Sequence, residues 1–160
     1  MAKITKGVFP VHAGSFEVDT SKGTPETPVW SPVAELEEVT VEVENNTETW
    51  SSFAAGGWQS ALVTGKSAKI SLSGKRCIGD AGNDLIARKL LLTGQDAYVA
   101  CRIIHPDGST LTWDKAACAV SNNGAGGKAT DVGALEAELT CHGKPTEGTV
   151  EDSASQNSGS

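Results

Sequence analysis

The chain has 160 residues, 38% of them hydrophobic, and a formal net charge of −7 at pH 7. Mean hydropathy is −0.21 and the pI about 4.9. This suits one globular domain with its own core rather than a disordered chain, and no apolar run approaches the ~20 residues of a bilayer span. The acidic balance argues against a protein that grips nucleic acid, which needs clustered Lys and Arg to displace counterions.

Residues 1–35 read as an irregular arm with short extended pieces, because Pro10, Gly14, Gly23, Pro25, Pro28 and Pro32 forbid a long helix. The start, Met1 to Lys6, is basic but has no apolar stretch behind it, so no signal peptide is expected. From Leu36 to Glu44 the pattern alternates. Val39, Val41 and Val43 share one face and Thr40, Glu42 and Glu44 the other, which predicts a half-buried strand with a wet acidic face. Asn45-Asn46-Thr47 reads as a turn. Thr49–Ala55 and Trp58–Thr64 can be extended around a Gly56-Gly57 break, and Lys66–Arg76 alternates as a further strand.

A single helix is expected next. Asp80 to Asp84 supplies a cap-like acidic start, Leu85 to Leu92 the apolar residues, and Gly94 stands where a terminating glycine belongs. Strands are expected again at Ala97–Ile104 and Leu111–Val120, around a Pro106-Asp107-Gly108-Ser109 turn. After a glycine-rich loop comes Val132–Cys141, with Leu135, Ala137, Leu139 and Cys141 on one face and Glu136 and Glu138 on the other. Beyond Gly143 the composition loses its apolar residues. The expected protein is therefore mainly β: a sandwich or barrel of six or seven strands with one flanking helix. Its domain spans 36–142, between a flexible arm and a flexible 143–160 tail.

Signals for chemistry are weak. Gly65-Lys66-Ser67 matches half of a phosphate-binding loop, but the first glycine is replaced by Ser60 and the segment feeds a strand instead of a helix. His12, His105 and His142 form no metal-ligand spacing. Asp80 and Asp84 read as acids at a helix start. Cys77, Cys101, Cys118 and Cys141 contain no Cys-x-x-Cys pair and are expected to be free thiols, with disulfides the alternative that the even count allows in an extracellular assembly. Neither an enzyme nor a cofactor protein is indicated.

Charge placement is more informative. Six glutamates lie between Glu35 and Glu48 without a cation, whereas Thr49 to Gly79 holds Lys66, Lys69, Lys75 and Arg76 without an acid. Neighbouring acidic and basic strands suggest matched surfaces, within one subunit or between two. Of the four tryptophans, Trp58 follows Gly56-Gly57 and is the one expected to anchor an interface.

The run from Gly57-Trp58-Gln59-Ser60 through Gly65-Lys66-Ser67 and Ser73-Gly74-Lys75-Arg76 to Gly79-Asp80-Ala81-Gly82-Asn83-Asp84 resembles the major tail tube family of long-tailed, non-contractile (siphovirus-type) bacteriophages and prophages. Val132–Glu136 and Gly143–Thr146 resemble that family's last strand and end; residues 1–35 carry no matching motif. The resemblance implies hexameric rings of this protein stacked into a tube in the virion tail, assembled in the host cytoplasm. Tape-measure and tail-terminator proteins are the implied partners, with no membrane and no cofactor. DNA passes through without specific binding. An extended loop matching Asn45, Asn46, Thr47 and onward to Gly56, Gly57 and Trp58 is expected to reach a neighbouring ring or subunit. Six copies at −7 would carry about −42, so Glu38, Glu42 and Glu44 are expected to line the lumen, and Lys66, Lys69, Lys75 and Arg76 to meet a neighbour's acids. The alternatives are a virion-surface binding module (immunoglobulin-like or carbohydrate-binding) and a tube subunit of a contractile or secretion apparatus.

Overall fold

The structure, a computed structural model, describes residues 3–21 and 27–150 of the chain. It contains β1 (Ser15–Asp19), β2 (Trp30–Pro32), β3 (Leu36–Ser51), β4 (Gln59–Lys75), α1 (Ala81–Ala87), β5 (Tyr98–Ile104), β6 (Ser109–Asn123), β7 (Ala134–Cys141) and β8 (Thr146–Thr149). The strands form one antiparallel sheet in the order β2-β1-β5-β6-β7-β4-β3, with β8 added beside the start of β6. Among the described residues the protein is thus mainly β with a single α-helix, as the alternation predicts, and has eight strands rather than six or seven.

The sheet curls over one core. Phe16 and Val18 of β1, Ile70 and Leu72 of β4, Val99 and Cys101 of β5, Trp113, Ala116 and Cys118 of β6, and Leu135, Ala137 and Leu139 of β7 all point into it, joined by Ile86 of α1. Burial of such side chains supplies ~1.5–3 kcal/mol each. Strand β6 changes parity midway. Val99 pairs with Ala116 but Cys101 pairs with Trp113, so β6 carries an extra residue there. That bulge keeps Trp113 and Ala116 both inside although they are three residues apart.

The reverse turn between β5 and β6 forms where expected. Gly108 has φ 91° and donates its N–H to the His105 carbonyl, while Asp107 Oδ1 accepts from the Ser109 backbone N–H at 2.9 Å. The helix starts as read, with Asp80 accepting from Asn83 N–H at 2.9 Å. It ends at Ala87, earlier than expected, and the chain continues to Leu92 through tighter turns such as Lys89 N–H to Ile86 O. Gly94, with φ 63°, opens a short 3-10 turn over Gly94–Ala97 instead of closing the helix.

Four further expectations change. Asn45-Asn46-Thr47 is not a turn: β3 runs through it, pairing Asn45 with Lys66, Asn46 with Gly65 and Thr47 with Val63, and absorbs the irregularity as a bulge. Cross-strand pairing over the whole hairpin outweighs the local turn preference of asparagine. Ser15–Asp19, read as part of the arm, instead pairs with β5 and buries Phe16 and Val18. Thr146–Thr149, read as tail, pairs with β6. Val41 and Val43, read as a buried face, are 42% and 51% exposed, because β3 is the last strand in the sheet order and no further strand among the described residues pairs with its outer edge. Gly23, Pro25 and the stretch 151–160 lie outside the described residues.

Candidate functional site

The dominant surface feature is the β3–β4 hairpin. Its strands pair from Leu36 with Gly74 out to Ser51 with Gln59. A third strand supports only its base, where β4 pairs with β7 over Lys69–Lys75. Beyond Ser67 the hairpin is a two-stranded ribbon, an arrangement marginal in water unless something covers it. Trp50 and Leu62, on one face of that ribbon, are 49% and 58% exposed.

At its end Phe53–Ala55 form a 3-10 turn, and Gly56 and Gly57, with φ 63° and 88°, turn the chain back. Only glycine takes both conformations without strain. The tip presents Phe53 and Trp58, fully and 79% exposed. Trp58 thus stands at an exposed tip, whereas Trp113 fills the core and Trp30 stacks on Arg102, 5.0 Å from guanidinium carbon to ring centre. Asn45, Asn46 and Thr47 sit in mid-stem: Asn46 Nδ2 donates to Thr64 Oγ1 at 3.0 Å, and Lys66 Nζ donates to Asn45 Oδ1.

Across the base of the hairpin the register lines up one polar face. Glu38, Thr40, Glu42 and Glu44 of β3 stand opposite Ser73, Ser71, Lys69 and Ser67 of β4. Ser73 and Ser71 stand opposite Glu136 and Glu138 of β7. Five carboxylates therefore share this face with two cations, Lys69 and Lys75. Glu136 and Glu138 were visible in the sequence as the wet side of the last strand; only sheet order brings them, across β4, onto the face of Glu38, Glu42 and Glu44.

The cations have partners within the chain. Lys69 Nζ lies 3.2 Å from Glu138 and Lys75 Nζ 3.7 Å from Glu37, both pairs half-exposed. Each such surface pair is worth ~1 kcal/mol or less. Arg76 is different. Its Nη1 donates to Asp84 Oδ1 at 2.7 Å, to Asn83 Oδ1 at 2.8 Å and to the Cys77 carbonyl at 3.1 Å. It is a clasp inside the subunit, so that of these four cations Lys66, Lys69 and Lys75 are the ones at the surface.

The Gly79–Asp84 block is explained by the same clasp. Asn83, fully buried, donates to the carbonyls of Ala34 and Lys75 and accepts from Arg76 and the Cys77 N–H. Asp80 Oδ2 accepts from Asn83 N–H and from Ala34 N–H. A Cβ on Gly82 would stand 2.6 Å from the Pro32 carbonyl oxygen. The block ties the helix start to the β2–β3 connection and to the base of the hairpin. Arg76 and, after burial's opposing effect, the Gly79 N–H hold the Asp84 carboxyl below its ordinary value.

Gly65-Lys66-Ser67 lies in mid-strand β4. Among the described residues no cluster of three or more His, Cys, Asp or Glu could hold a metal ion. Cys101, Cys118 and Cys141 gather on the inner side of β5, β6 and β7, all as free thiols. A hydrogen bond with Cys141, together with burial, pushes the Cys101 thiol far up, and burial takes Cys118 to about 11. Cys141, at the open end of that pair, is lowered by the same bond against the effect of its own burial.

An apolar groove of about 490 Å³ opens between β1 with the end of β5 on one side and β3 on the other. Phe9, Phe16, Val33, Val39, Val41 and Ile103 line it, with Glu37, Glu38, His12 and His105 around it. Strands β1 and β3 are far apart in sheet order, so the groove is the seam left where the curled sheet fails to close.

The overall fold is similar to that of chains solved in tail-like particles. A chain from the tail of an empty gene transfer agent particle, solved with C6 symmetry, superposes with a TM-score of 0.66 at 18% identity, over 89% of this chain and 100% of that one. A chain from the virion of a native gene transfer agent gives 0.64 at 18% identity over the same shares. A chain from the sheath/tube terminator structure of an extracellular contractile injection system gives 0.57 at 13% identity, over 91% and 100%. At these identities the likeness shows a common fold. No family model and no curated protein matches the sequence.

Proposed function

We propose that this chain is the tube subunit of a phage-like tail: a non-catalytic structural protein that closes into hexameric rings and stacks into a conduit for DNA. The observation that carries the reading is the face bearing the glutamates of β3 and β7, set on a subunit whose hairpin beyond Ser67 has no third strand beside it among the described residues. Glu38, Glu42 and Glu44, with Glu136 and Glu138, line the lumen and repel phosphate, so DNA slides through without specific binding. The exposed ribbon with Asn45, Asn46 and Thr47, and the Gly56-Gly57-Trp58 tip, reach a neighbouring subunit. Lys66, Lys69 and Lys75 lie within reach of a neighbour's acids, each exchanging or sharing its present partner. Tape-measure and terminator proteins bind the tube; it is built in the host cytoplasm and ends in the virion tail of a long-tailed, siphovirus-type particle.

Support comes from the fold shared with a chain of a C6-symmetric tail and from the resemblance in sequence over 36–146. Electron microscopy of concentrated protein tests the reading: rings or tubes of uniform bore are expected, and monodisperse monomers under every assembly condition would sink it. The lumen assignment has its own test. Glu38→Lys, Glu42→Lys and Glu44→Lys combined should leave rings intact but impair DNA delivery by tails built from them; normal delivery rejects it. The likeness to a contractile system's chain favours one second reading, a tube inside a contractile sheath. Binding of a purified sheath protein to the tube exterior separates the two.

A further inference from the structure

The hairpin tip and the apolar groove belong to one chain but cannot meet within it. Val41 is at the groove and Ser51 ends the strand, ten residues on; at about 3.3 Å per residue that is roughly 33 Å of paired, extended chain. Phe53 is fully exposed and Trp58 79% exposed, so among the described residues neither aromatic of the tip is buried within its own subunit. The residues outside the described structure offer little to fill the groove. Positions 1–2, 22–26 and 151–160 bring one large apolar side chain, Met1, and otherwise small, polar or charged residues. Residues 151 and 152 are moreover acidic, as are Glu37 and Glu38 at the groove. The tip suits it better: from Thr49 to Gly65 the chain carries no charge at all.

We infer that the Phe53–Trp58 tip of one copy seats its aromatic side chains in the β1/β5–β3 groove of a second copy. Each ring brings ~150–250 Å² of surface to bury, and the groove is the apolar cavity between the sheet edges. Knob and socket are different surfaces, so the contact is heterologous. Every copy gives one tip and receives another, and the contact propagates along an assembly instead of ending at a dimer. This rests on the tube reading above and names the socket that the projecting hairpin engages.

The test uses the full chain with p-benzoylphenylalanine at Phe53, mixed with isotopically heavy unmodified protein, assembled, irradiated and mapped by mass spectrometry. Light–heavy crosslinks from position 53 to Phe9, Val39, Val41 or Ile103 are expected. Tubes whose crosslinks fall on any other surface, or only within one chain, overturn this inference and leave the tube reading standing. Failure of any assembly overturns both. Val41→Glu provides a second measurement: the position is half-exposed, so the denaturation midpoint of the monomer should not move, while the critical concentration for assembly should rise about tenfold or more. An unchanged critical concentration also overturns the inference.

Discussion

Arg76 and Asn83 meet at 2.8 Å, guanidinium to amide oxygen, at the point where β4 ends and α1 begins. The amide then uses its nitrogen for the carbonyls of Ala34 and Lys75, at 3.0 Å each, from two other parts of the chain. One buried side chain thus joins the helix, the base of the hairpin and the β2–β3 connection. It sets the direction in which the hairpin leaves the body of the protein.

Asn83→Ala removes one of the three partners of the largely buried Arg76 guanidinium and strips two carbonyls of a donor. Because unsatisfied buried groups cost ~1–3 kcal/mol each, a loss of about 2–4 kcal/mol is expected in urea unfolding. Asn83→Asp tests whether shape suffices: it restores the acceptor toward Arg76 but not the two donated bonds, so it should remain clearly destabilised.

Gly82→Ala is expected to destabilise despite alanine's higher helix propensity. The new methyl would stand 2.6 Å from the Pro32 carbonyl oxygen, against backbone that cannot swing away. A loss of about 1–3 kcal/mol should appear in thermal or chemical unfolding. An unchanged or raised midpoint would show that the helix–β2 contact is looser than described.

The acid limb of stability should depend on Asp84 and Asp107. The Arg76 hydrogen bond lowers Asp84, and hydrogen bonds from the Ser109 side chain and backbone lower Asp107, both from 3.8. A carboxyl lowered in the folded state stabilises above its unfolded value, and that contribution is lost as pH falls through the folded value. Asp84→Asn should therefore be less stable than wild type at pH 7, with the gap closing below pH 3.8. A gap that persists unchanged into that range would place the effect elsewhere than in the charge.

Thiol reactivity should follow burial and the bond between Cys101 and Cys141. Native protein treated with iodoacetamide near neutral pH should label Cys77 and Cys141, the two partly exposed thiols. Cys118, raised to about 11, and Cys101, raised further, should label only on unfolding. Peptide mapping before and after denaturant reads this directly.

Much of the fold was legible locally. Alternation located β5, β6 and β7, the Asp80 cap marked the helix start, and Asp107-Gly108 marked a turn, because each depends on a few neighbouring residues. The misreadings share a cause. Asparagines in mid-strand β3 looked like a turn because the partner strand that overrides their preference is some twenty positions away. Ser15–Asp19 looked like arm because its neighbour, β5, lies more than eighty residues later in sequence.

The candidate site divides in the same way. Sequence alone determined that β3 has a glutamate face and a valine face, that Gly56-Gly57 must turn the chain and that Trp58 follows directly, since period-two alternation and glycine's conformational range act locally. Tertiary structure decided the rest. Sheet order placed Glu136 and Glu138 across β4 on the same face as Glu38, Glu42 and Glu44 and put β3 at an edge, while the hydrogen bonds to Asn83 and Asp84 held Arg76 inside the subunit. Periodicity tells which side chains share a face of a strand, but not which strand comes next to it, and that adjacency creates both the acidic surface and the open groove.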